Sequence, residues 1–580
     1  MGKNKKMKSY SRRIALLCAA LLVLTASGQS LFTGKALAAE TGQFAPLNPF
    51  YLDYMKEREA ARASGLPLAV KTTKSGHPLA AVPQRIDRGY LRGLVHENAP
   101  LRRASSRAAS EPASNAITAR QVQALGGQKT TGSSYPTSFD LRNSWNGKAD
   151  VNYLTPIKDQ SNCGSCWAHA ALAGIESAFM PTTAISFSED DLINSHGFDF
   201  GPCDGGLDAM AIAYMARKGV ISTSQESYEY LDATQPLPPA ISNTSVLMGP
   251  GQQYHVQDIN MFSSDVDDIK FMLFALFDST GLSPGYPVSI GYFMNDYFYD
   301  SNNASYYCPI SSGANHAVAI IGWDDNYSAS NFVNTPPGNG AWLVRNSWGV
   351  NWGSTCCIKN ACNKYSHQPT AGYFWMSYYD QSIAPAAYAY YNVKSASNFD
   401  WTYQYDPLGE VEDYGFGTTT AWMANVFKAV PQAPYINAVS FYFESPNTAY
   451  KIWIYDNVNT TGEMYSPVVN PISGTFRCKV TGTEPNAGYH TITIPSSPVP
   501  AVTVGKNFSV VVEVTTPGYT YPIALETAAS GYSTRAYAIP GQSYISSNGT
   551  TWYDLDNLII YNGTPAPMKA CLKAFGSTTK

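Results

Sequence analysis

The chain is poor in charged side chains and has little excess of either sign. Asp, Glu, Lys and Arg make up only 14% of its 580 residues, and the formal net charge is -4. Proteins that bind nucleic acid or anionic lipid by electrostatic attraction usually carry clustered positive charge. The charge balance therefore gives no indication of a nucleic-acid or anionic-lipid partner.

Long apolar runs are missing except for one short run near the N-terminus. This run, "IALLCAALLVL" (Ile14 to Leu24), is shorter than the roughly 20 residues that cross a bilayer, which disfavours a membrane anchor. It follows a basic segment and precedes the small residues "ALA" at 36–38, the pattern of a secretory signal. We predict a signal peptide over residues 1–39, and a mature chain that is exported to the bacterial envelope or extracellular space without membrane insertion.

Cysteine is infrequent, and its number is informative. Of ten cysteines, Cys18 lies in the predicted signal peptide, which leaves nine in the mature chain. In an oxidising compartment an unpaired cysteine calls for a reason, and a reactive thiol is one. The stretch "QSNCGSCWAHA" offers Cys163 and Cys166 as candidates. A thioredoxin-like redox pair is the competing interpretation, but it expects a surrounding βαβ pattern and explains none of the motifs downstream.

Several further motifs flank "CGSCW" on both sides. Before it stands "YPTSFDLR", and after it, in this order, come "SEDDL", "GPCDGG", "PVSIGYF", "NHAVAIIGWD", "AWLVRNSWGVNWG" and "GYFWMSYYD". Most of the segment from Tyr135 to Asp380 thereby resembles the papain family of cysteine peptidases. The resemblance implies an α+β fold of two lobes, one helical and one β-barrel-like, and thiol peptidase chemistry with no cofactor and no metal. We place this catalytic domain at residues 135–383.

The resemblance also implies a role for four side chains. Cys166 would be the nucleophile, His316 the general base and acid, Asn346 the residue that orients His316, and Gln160 an oxyanion-hole donor. The residues support the first role, because "CWAHAALAGIESAFM" has helical spacing and places the thiol at a helix N-terminus. We therefore expect a lowered thiol pKa and a thiolate-imidazolium pair. The rival histidine, His169, lies three residues along the same helix and is expected to pack or cap, although it could tune the local pKa.

Other residues are assigned supporting roles by the same resemblance. Trp348 would shield the hydrogen bond between His316 and Asn346 from water, and Trp167 would support the active site. A disulfide would join Cys163 to the cysteine of "GPCDGG". The glycines of that motif suit close approach of an extended substrate backbone. These supporting roles concern the following residues: Trp167, Trp348, Cys163, Cys203, Gly205 and Gly206.

An enlarged block, "STCCIKNACNKYSHQPTA", separates Gly353 from Gly372. Its metal-binding residue types are Cys356, Cys357, Cys362 and His367. A zinc site is one interpretation. Disulfides are favoured because the protein is predicted to be exported, and Cys308 is then expected to pair into this block.

The regions on either side of the peptidase-like segment have different compositions. Residues 40–134 are predicted to be a prosegment that keeps the precursor latent, with a small, polar and basic linker over 102–120 that is open to proteolysis. Residues 384–580 contain short alternating runs punctuated by Pro, Gly and Asn, which predict an antiparallel, lectin-like β-sandwich. We expect Cys478 and Cys571 to form a disulfide there. The sandwich is expected to be dispensable for chemistry and to bind a glycan or cell-surface ligand.

The sequence thus predicts a secreted, papain-like cysteine endopeptidase, made as a zymogen, that acts on protein or peptide substrates through an acyl-enzyme. Two alternatives remain. One is a surface-binding or carbohydrate-binding protein with an inactive peptidase fold, which the presence of all four candidate catalytic residues disfavours. The other is an acyl-transfer peptide ligase, because water and amines compete for the same acyl-enzyme.

Overall fold

The computed structural model describes most of the chain after the predicted signal peptide. The described residues are 42–64, 71–91, 135–142, 152–217, 219–220, 222–223, 254–274, 285–353, 372–395, 398–461, 468–495, 500–556, 560–561, 564–565 and 567–579. The predicted signal peptide, the linker over 102–120 and the inserted block with Cys356, Cys357, Cys362 and His367 lie outside these ranges. Among the described helices, none combines the length and the apolar character that a membrane crossing would need.

Within residues 42–64 and 71–91, the structure shows one helix and three short strands. They are β1 (Gln43–Phe44), α1 (Pro49–Ala63), β2 (Lys71–Thr72) and β3 (Pro78–Leu79). Helix α1 begins where the side chain of Asn48 accepts a hydrogen bond from the Phe50 N–H at 3.1 Å, with proline at the first helical position. Its inward face buries Tyr51, Met55 and Arg58, which are spaced four and three residues apart. The helix therefore presents one buried face to the rest of the protein.

The peptidase-like region combines helices with a largely antiparallel sheet. Its helices are α2 (Cys166–Ser177), α3 (Glu189–Ser195), α4 (Asp208–Arg217) and α5 (Val266–Phe274). Its strands are β4 (Ser138–Asp140), β5 (Tyr254–Ser263), β6 (Val288–Tyr292), β7 (Tyr299–Asp300), β8 (Ser305–Tyr306), β9 (His316–Asp324), β10 (Ala341–Arg345), β11 (Tyr373–Ser377) and β12 (Ala386–Ser395).

Helix α2 is the central element of this region, because all twelve of its residues are buried. Its small side chains let it pack against β9, β12 and α4. Gly174 lies close to Tyr390 of β12, where an added Cβ would come within 3.3 Å of that side chain. The helix therefore places its first residue, Cys166, between a helical part of the fold and the strand that begins at His316.

The C-terminal region is composed of strands. They are β13 (Trp401–Tyr403), β14 (Glu412–Gly415), β15 (Thr420–Lys428), β16 (Tyr435–Phe443), β17 (Thr448–Asp456), β18 (Thr460–Thr461), β19 (Val468–Val469), β20 (Thr475–Glu484), β21 (Ala487–Thr493), β22 (Asn507–Thr515), β23 (Ile523–Thr527), β24 (Ser543–Ser546), β25 (Tyr553–Asp554), β26 (Ile560–Tyr561), β27 (Thr564–Pro565), β28 (Met568–Ala570) and β29 (Leu572–Ser577). The sheet in the order β20–β17–β22–β15–β24–β25 packs through an apolar core onto strands that include β16, β23 and β29. This arrangement is the predicted β-sandwich.

One sheet runs through both regions. Its path is β13–β29–β16–β21–β5–β12–β6–β9–β10–β11–β8–β7, so β21 of the sandwich pairs directly with β5 of the peptidase-like region. Strand β12 lies between β5 and β6, although it follows the predicted domain boundary at residue 383. Backbone hydrogen bonds therefore connect the peptidase-like region to the sandwich. Strand β12 belongs to the sheet of the peptidase-like region, although the sequence composition assigned it to the sandwich.

The disulfide prediction for the sandwich is wrong. Cys478 and Cys571 are both free thiols. Cys478 lies on β20 at one end of a sheet and packs against the core of the sandwich, whereas Cys571 follows β28 and belongs to the apolar cluster that contains helix α2. The two thiols therefore lie in different apolar clusters and are not joined to each other.

Candidate active site

The candidate nucleophile lies at the first position of a buried helix. Cys166 begins α2, as the spacing predicted, and its side chain is inaccessible to solvent. Backbone N–H groups of Ala317 and Ala80 contact the thiol and favour its charged form. Ala317 directly follows His316 at the start of β9, so the end of the helix and the beginning of that strand meet at the thiol.

His316, Asn346 and Trp348 form a compact, buried group. The Nε2 of His316 lies 2.8 Å from the Oδ1 of Asn346, and the same oxygen accepts a hydrogen bond from the Ser347 N–H at 2.8 Å. The indole of Trp348 stacks on the imidazole with ring centroids 4.4 Å apart. When Nε2 donates to Asn346, Nδ1 is the acceptor nitrogen of the neutral ring. Nδ1 is buried and has no hydrogen-bond partner among the described residues, so it is available to accept a proton.

Both polar atoms of the Gln160 side-chain amide form hydrogen bonds that hold the side chain in place. Its Nε2 donates to the carbonyl of Cys163 at 2.9 Å, and its Oε1 accepts from the Ser347 hydroxyl at 2.6 Å. The Gln160 N–H also donates to the Ser347 carbonyl at 2.8 Å. The residue after Asn346 therefore holds the predicted oxyanion donor, a role that the sequence motifs did not indicate.

A buried ionic network sets the position of the loop that carries Gln160. The Nζ of Lys158 donates to Glu176 of α2 at 2.5 Å and to Glu189 of α3 at 2.7 Å. Arg345, at the end of β10, donates to the Thr155 carbonyl at 3.0 Å. Buried charges are tolerated when they are paired in this way. The network ties the loop to the nucleophile helix and to the strand that leads into Asn346.

His169 lies within the helix, as predicted, and bonds to it. Its Nδ1 is 3.0 Å from the Ser165 carbonyl oxygen, one turn back along the chain. Burial lowers the pKa of His169, and its positive form would lower the pKa of His316. The residue therefore contributes to the electrostatics of the site, while Asn346 is the partner of His316.

Residues before the peptidase-like region occupy the cleft. The predicted disulfide joins Cys163 to Cys203, and the following Gly205–Gly206 segment pairs with a stretch from Ala80 to Val82. Gly206 N–H donates to the Ala80 carbonyl at 3.2 Å, and Val82 N–H donates to the Gly206 carbonyl at 2.9 Å. Gly205 has φ +96°, and a Cβ there would overlap the Ala80 carbonyl. The two predicted glycines thus contact an extended backbone, and the occupant is the chain's own N-terminal segment.

The same N-terminal segment contacts the other side of the site. Ala81 N–H donates to the carbonyl of Asn315 at 2.9 Å, and His77 stacks on Trp348 with ring centroids 4.8 Å apart. Trp167 lies under the glycine pair, where a Cβ on Gly206 would overlap its indole. The contacts with His77, Ala80 and Ala81 join positions far apart in the chain, and no local sequence pattern predicts them.

Burial disfavours the thiolate-imidazolium pair that was expected for Cys166 and His316. Burial raises the pKa of the Cys166 thiol to about 11, more than the backbone N–H groups around it lower that pKa. Burial also lowers the pKa of His316 to about 4, against the hydrogen bond to Asn346, which raises it. The expected low thiol pKa is therefore wrong for this closed form, in which both the thiol and the imidazole are neutral at pH 7.

This closed form predicts a pH profile for thiol alkylation. In the intact chain, the rate at which iodoacetamide modifies Cys166 should stay low at neutral pH and rise only towards pH 11. Removal of the N-terminal segment should raise the rate at pH 7 by about 100-fold or more, because water then reaches both groups and each pKa unit is a factor of ten. The measurement uses a Cys478→Ser background, since that free thiol is partly exposed. Identical profiles before and after removal would contradict the interpretation.

Comparison with known proteins agrees with this geometry. Residues 135–373 match the family model "Papain family cysteine protease", and residues 402–576 match "Lectin like domain". A cysteine protease of Blomia tropicalis is 30% identical over 234 residues, covering 38% of this chain and 60% of that protein. Human cathepsin L2 is 29% identical over 245 residues, covering 40% and 64%. The chain spans less than two thirds of the length of these curated relatives.

Solved structures with the same fold cover both regions. The cysteine protease and lectin-like domains of Cwp84, a surface layer associated protein of Clostridium difficile, align over 93% of this chain and 98% of that chain, with a TM-score of 0.63 and 20% identity. A clostridial Cwp84 C116A structure after propeptide cleavage aligns over 74% and 97%, with a TM-score of 0.58 and 24% identity. At these identities the likeness concerns the fold.

The fold and the matched family define a papain-like cysteine protease domain at residues 135–373. It is followed by a lectin-like domain at residues 402–576. The predicted resemblance of residues 135–373 to the papain family is therefore confirmed, a lectin-like region follows it, and the predicted α+β fold class is confirmed.

Proposed function

We propose that this protein is an exported cysteine endopeptidase, synthesised as a latent precursor, whose catalytic residues are Cys166, His316, Asn346 and Gln160. The observation that carries the proposal is the hydrogen bond of His316 to Asn346 beneath Trp348, which leaves Nδ1 of the imidazole as the acceptor next to the helix that begins at Cys166. Export is supported by the N-terminal sequence pattern.

In the proposed reaction, the Cys166 sulfur attacks the peptide carbonyl carbon and its proton passes to Nδ1 of His316. The oxyanion accepts hydrogen bonds from the Cys166 N–H and the Gln160 amide. The imidazolium then protonates the departing amine as the C–N bond breaks, which leaves a thioester. Water attacks the thioester, gives a proton to His316, and the carboxylic acid product leaves with restoration of the thiol. Asn346 keeps the ring in the required tautomer throughout.

A test of this reaction follows formation and decay of the acyl-enzyme. After removal of the N-terminal segment, a peptide ester with a chromogenic alcohol should give a burst equal to the titrated Cys166 thiol, followed by slower steady turnover. When an amine is added, the acyl-enzyme partitions between hydrolysis by water and transfer of its acyl group to the amine. A product that is mainly acid at physiological amine concentrations supports a peptidase, whereas mainly amide product would replace it with the ligase function. Turnover without a burst would mean that hydrolysis of the thioester is at least as fast as its formation.

We propose that the precursor is latent because residues 80–82 of its own N-terminal segment occupy the cleft. The backbone N–H of Ala80 is one of the groups that lower the pKa of the Cys166 thiol, which places residue 80 beside the nucleophile. The segment also pairs in parallel with the Gly205–Gly206 stretch. Residues 80–82 thus exclude a substrate from the cleft.

Enlarging Ala80 should relieve this inhibition. Ala80 is buried and packs closely against Gly164 and Gly205, so the indole of a tryptophan there would collide with its surroundings. The Ala80→Trp precursor should therefore hydrolyse a small peptide about tenfold faster or more than the unchanged precursor, since overpacking costs roughly 1 to 3 kcal/mol. Initial rates are measured on chains that electrophoresis shows to be intact. Lys71→Ala, at an exposed position of the β2–β3 hairpin, is the matched control and should stay latent. Equal rates for both variants would show that this contact does not inhibit.

The lectin-like domain is proposed to bind a glycan or envelope component. The support is the family match and the predicted export of the chain. Binding of the intact, catalytically inactive protein to polysaccharide or cell-wall preparations tests this part of the proposal.

A further inference from the structure

The lectin-like domain holds the N-terminal segment by strand pairing. Strand β1 pairs antiparallel with β14, with Gln43 opposite Gly415 and Phe44 opposite Tyr414. The Ala45 N–H donates to the Asp413 carbonyl at 2.9 Å. An extended segment that joins a sheet edge gains affinity from its backbone, and side chains then supply specificity. The N-terminal segment therefore serves as an added edge strand of this domain.

Arg85 fixes the same edge through its side chain. It forms a buried ion pair with Glu412, and its Nε donates to the Val411 carbonyl at 3.1 Å. Its Nη1 donates to the Tyr51 hydroxyl at 3.0 Å, so the guanidinium also contacts helix α1. Arg58 of that helix donates to the Gly531 carbonyl of the lectin-like domain and, at 2.6 Å, to the Asp199 carbonyl of the peptidase domain. The helix is thus held between the two domains.

Arg88 enters a cluster of three carboxylates. It pairs with Glu410, with Asp413 at 3.0 Å and with Glu444 at 2.7 Å. Arg88, Asp413 and Glu444 are all at most 5% exposed. Like charges that are buried together are costly unless a countercharge accompanies them, and Arg88 is the cation that these three carboxylates contact.

Tyrosines cover this ionic cluster. The Tyr90 hydroxyl donates to the Glu444 carbonyl at 3.0 Å, and its ring meets Tyr519 edge-on at 5.7 Å. The Tyr519 hydroxyl in turn donates to Asp413 at 2.7 Å. The N-terminal segment therefore contributes both the buried cation and part of the cover that excludes water from it.

We propose that residues 410–415 with Glu444 and Tyr519 form a docking surface for an extended, arginine-bearing segment, here called the latch surface, and that its hold on Arg85 and Arg88 maintains the latent state. The cleft holds residues 80–82 through small side chains and backbone hydrogen bonds, whereas the latch surface holds buried charges of complementary sign. This inference rests on the proposed latency. It gives the lectin-like domain a regulatory role, separate from any glycan that it binds.

Dissociation of the N-terminal segment tests the latch surface without relying on catalysis. The full chain carries Cys166→Ala and a specific protease recognition sequence within 102–120. After the cut, release of the fluorescently labelled N-terminal fragment is followed by gel filtration and by competition with unlabelled fragment. The Arg85→Ala/Arg88→Ala chain should release its fragment about 30-fold faster or more, the range expected for loss of a buried, hydrogen-bonded charge. Arg88→Lys should give an intermediate rate, and Lys56→Ala, at an exposed position of α1, should match the parent.

The release rates can be interpreted even if a variant folds poorly. After the cut, the arginine variants leave the same remaining chain, so their differences report docking alone. Asp413→Asn/Glu444→Gln changes the other side of the contact and should accelerate release as well, with thermal melting of the cut chain as the check on folding. The proposal is overturned if the double arginine variant releases its fragment at the parent rate while Ala80→Trp accelerates release. Absence of peptidase activity would contradict the proposed function and leave this measurement intact.

Discussion

Replacement of Cys166 by alanine is expected to reduce peptide hydrolysis by the processed enzyme by about 10⁴-fold or more. The proposed reaction forms a covalent bond to that sulfur, and removal of a nucleophile leaves only the contribution of substrate binding and the oxyanion hole. The measurement is kcat/KM on a fluorogenic peptide, together with labelling by an epoxide reagent. His316→Ala should cause a loss of similar size, and the double variant should be little worse than either single one, because the two residues act as one unit.

The matched control is another free thiol of the same chain. Cys478→Ala removes a partly exposed thiol on β20, in the lectin-like domain, and should leave both hydrolysis and epoxide labelling unchanged. Near-normal turnover by a folded Cys166→Ala protein would rule out the thiol mechanism. If both Cys166→Ala and Cys478→Ala lost activity, a general effect of thiol removal on folding would be the explanation.

Truncation after Ile383 is expected to destroy the peptidase fold, contrary to the expectation from sequence. The cut removes β12, whose residues pair with β5 over nine positions and with β6 over three. It also removes Tyr388 and Tyr390, which are at most 4% exposed, and burial of a large side chain contributes roughly 1.5 to 3 kcal/mol. The Tyr390 hydroxyl donates to buried Asp208 at 2.9 Å. Losses of this size approach the whole stability of a domain, about 5 to 15 kcal/mol.

Two further chains separate the roles of the strands. A fragment that ends at Ser395 keeps β12 but lacks β21, so it exposes one edge of β5 and should melt below the full chain yet above the fragment that ends at Ile383. A chain cut by a specific protease at 396–397 keeps every strand and should remain associated and active. Thermal melting and gel filtration measure all three. A fragment ending at Ile383 that melts with the full chain would restore the expectation of a dispensable domain.

The parts of the site that could be predicted from sequence are those with a local pattern. Cys166 follows a glycine-containing turn and opens a helix of small apolar residues, and His316 begins a run of buried strand residues. Asn346 comes directly after another buried strand. Each of these motifs matches a known family, so the sequence alone was enough to predict the fold and the candidate catalytic residues. Their chemical roles stay predictions until the variants are measured.

The remaining features depend on contacts between distant parts of the chain. Arg88 and Glu444 are separated by more than 350 positions, and neither stands in a pattern that indicates the other. The low thiol pKa was predicted from the helix dipole and a partner imidazole, and both arguments omit the burial of the thiol. The disulfide between Cys478 and Cys571 was inferred from the number of cysteines, which carries no information about distance. The domain boundary near residue 383 followed a change in composition, and strand β12 crosses it in space.

The continuous sheet sets the order in which the newly made chain can fold. Strand β5 ends at Ser263, but its neighbours are β12 and β21, which are completed only at Ser395 and Thr493. Pairings between such distant segments form late, because the intervening chain must first be available and brought together. Strand β5 therefore cannot gain both of its neighbours before β21 of the lectin-like domain has been synthesised. The segment that covers the cleft precedes the peptidase domain in the chain, so it has already been synthesised when the neighbours of β5 become available.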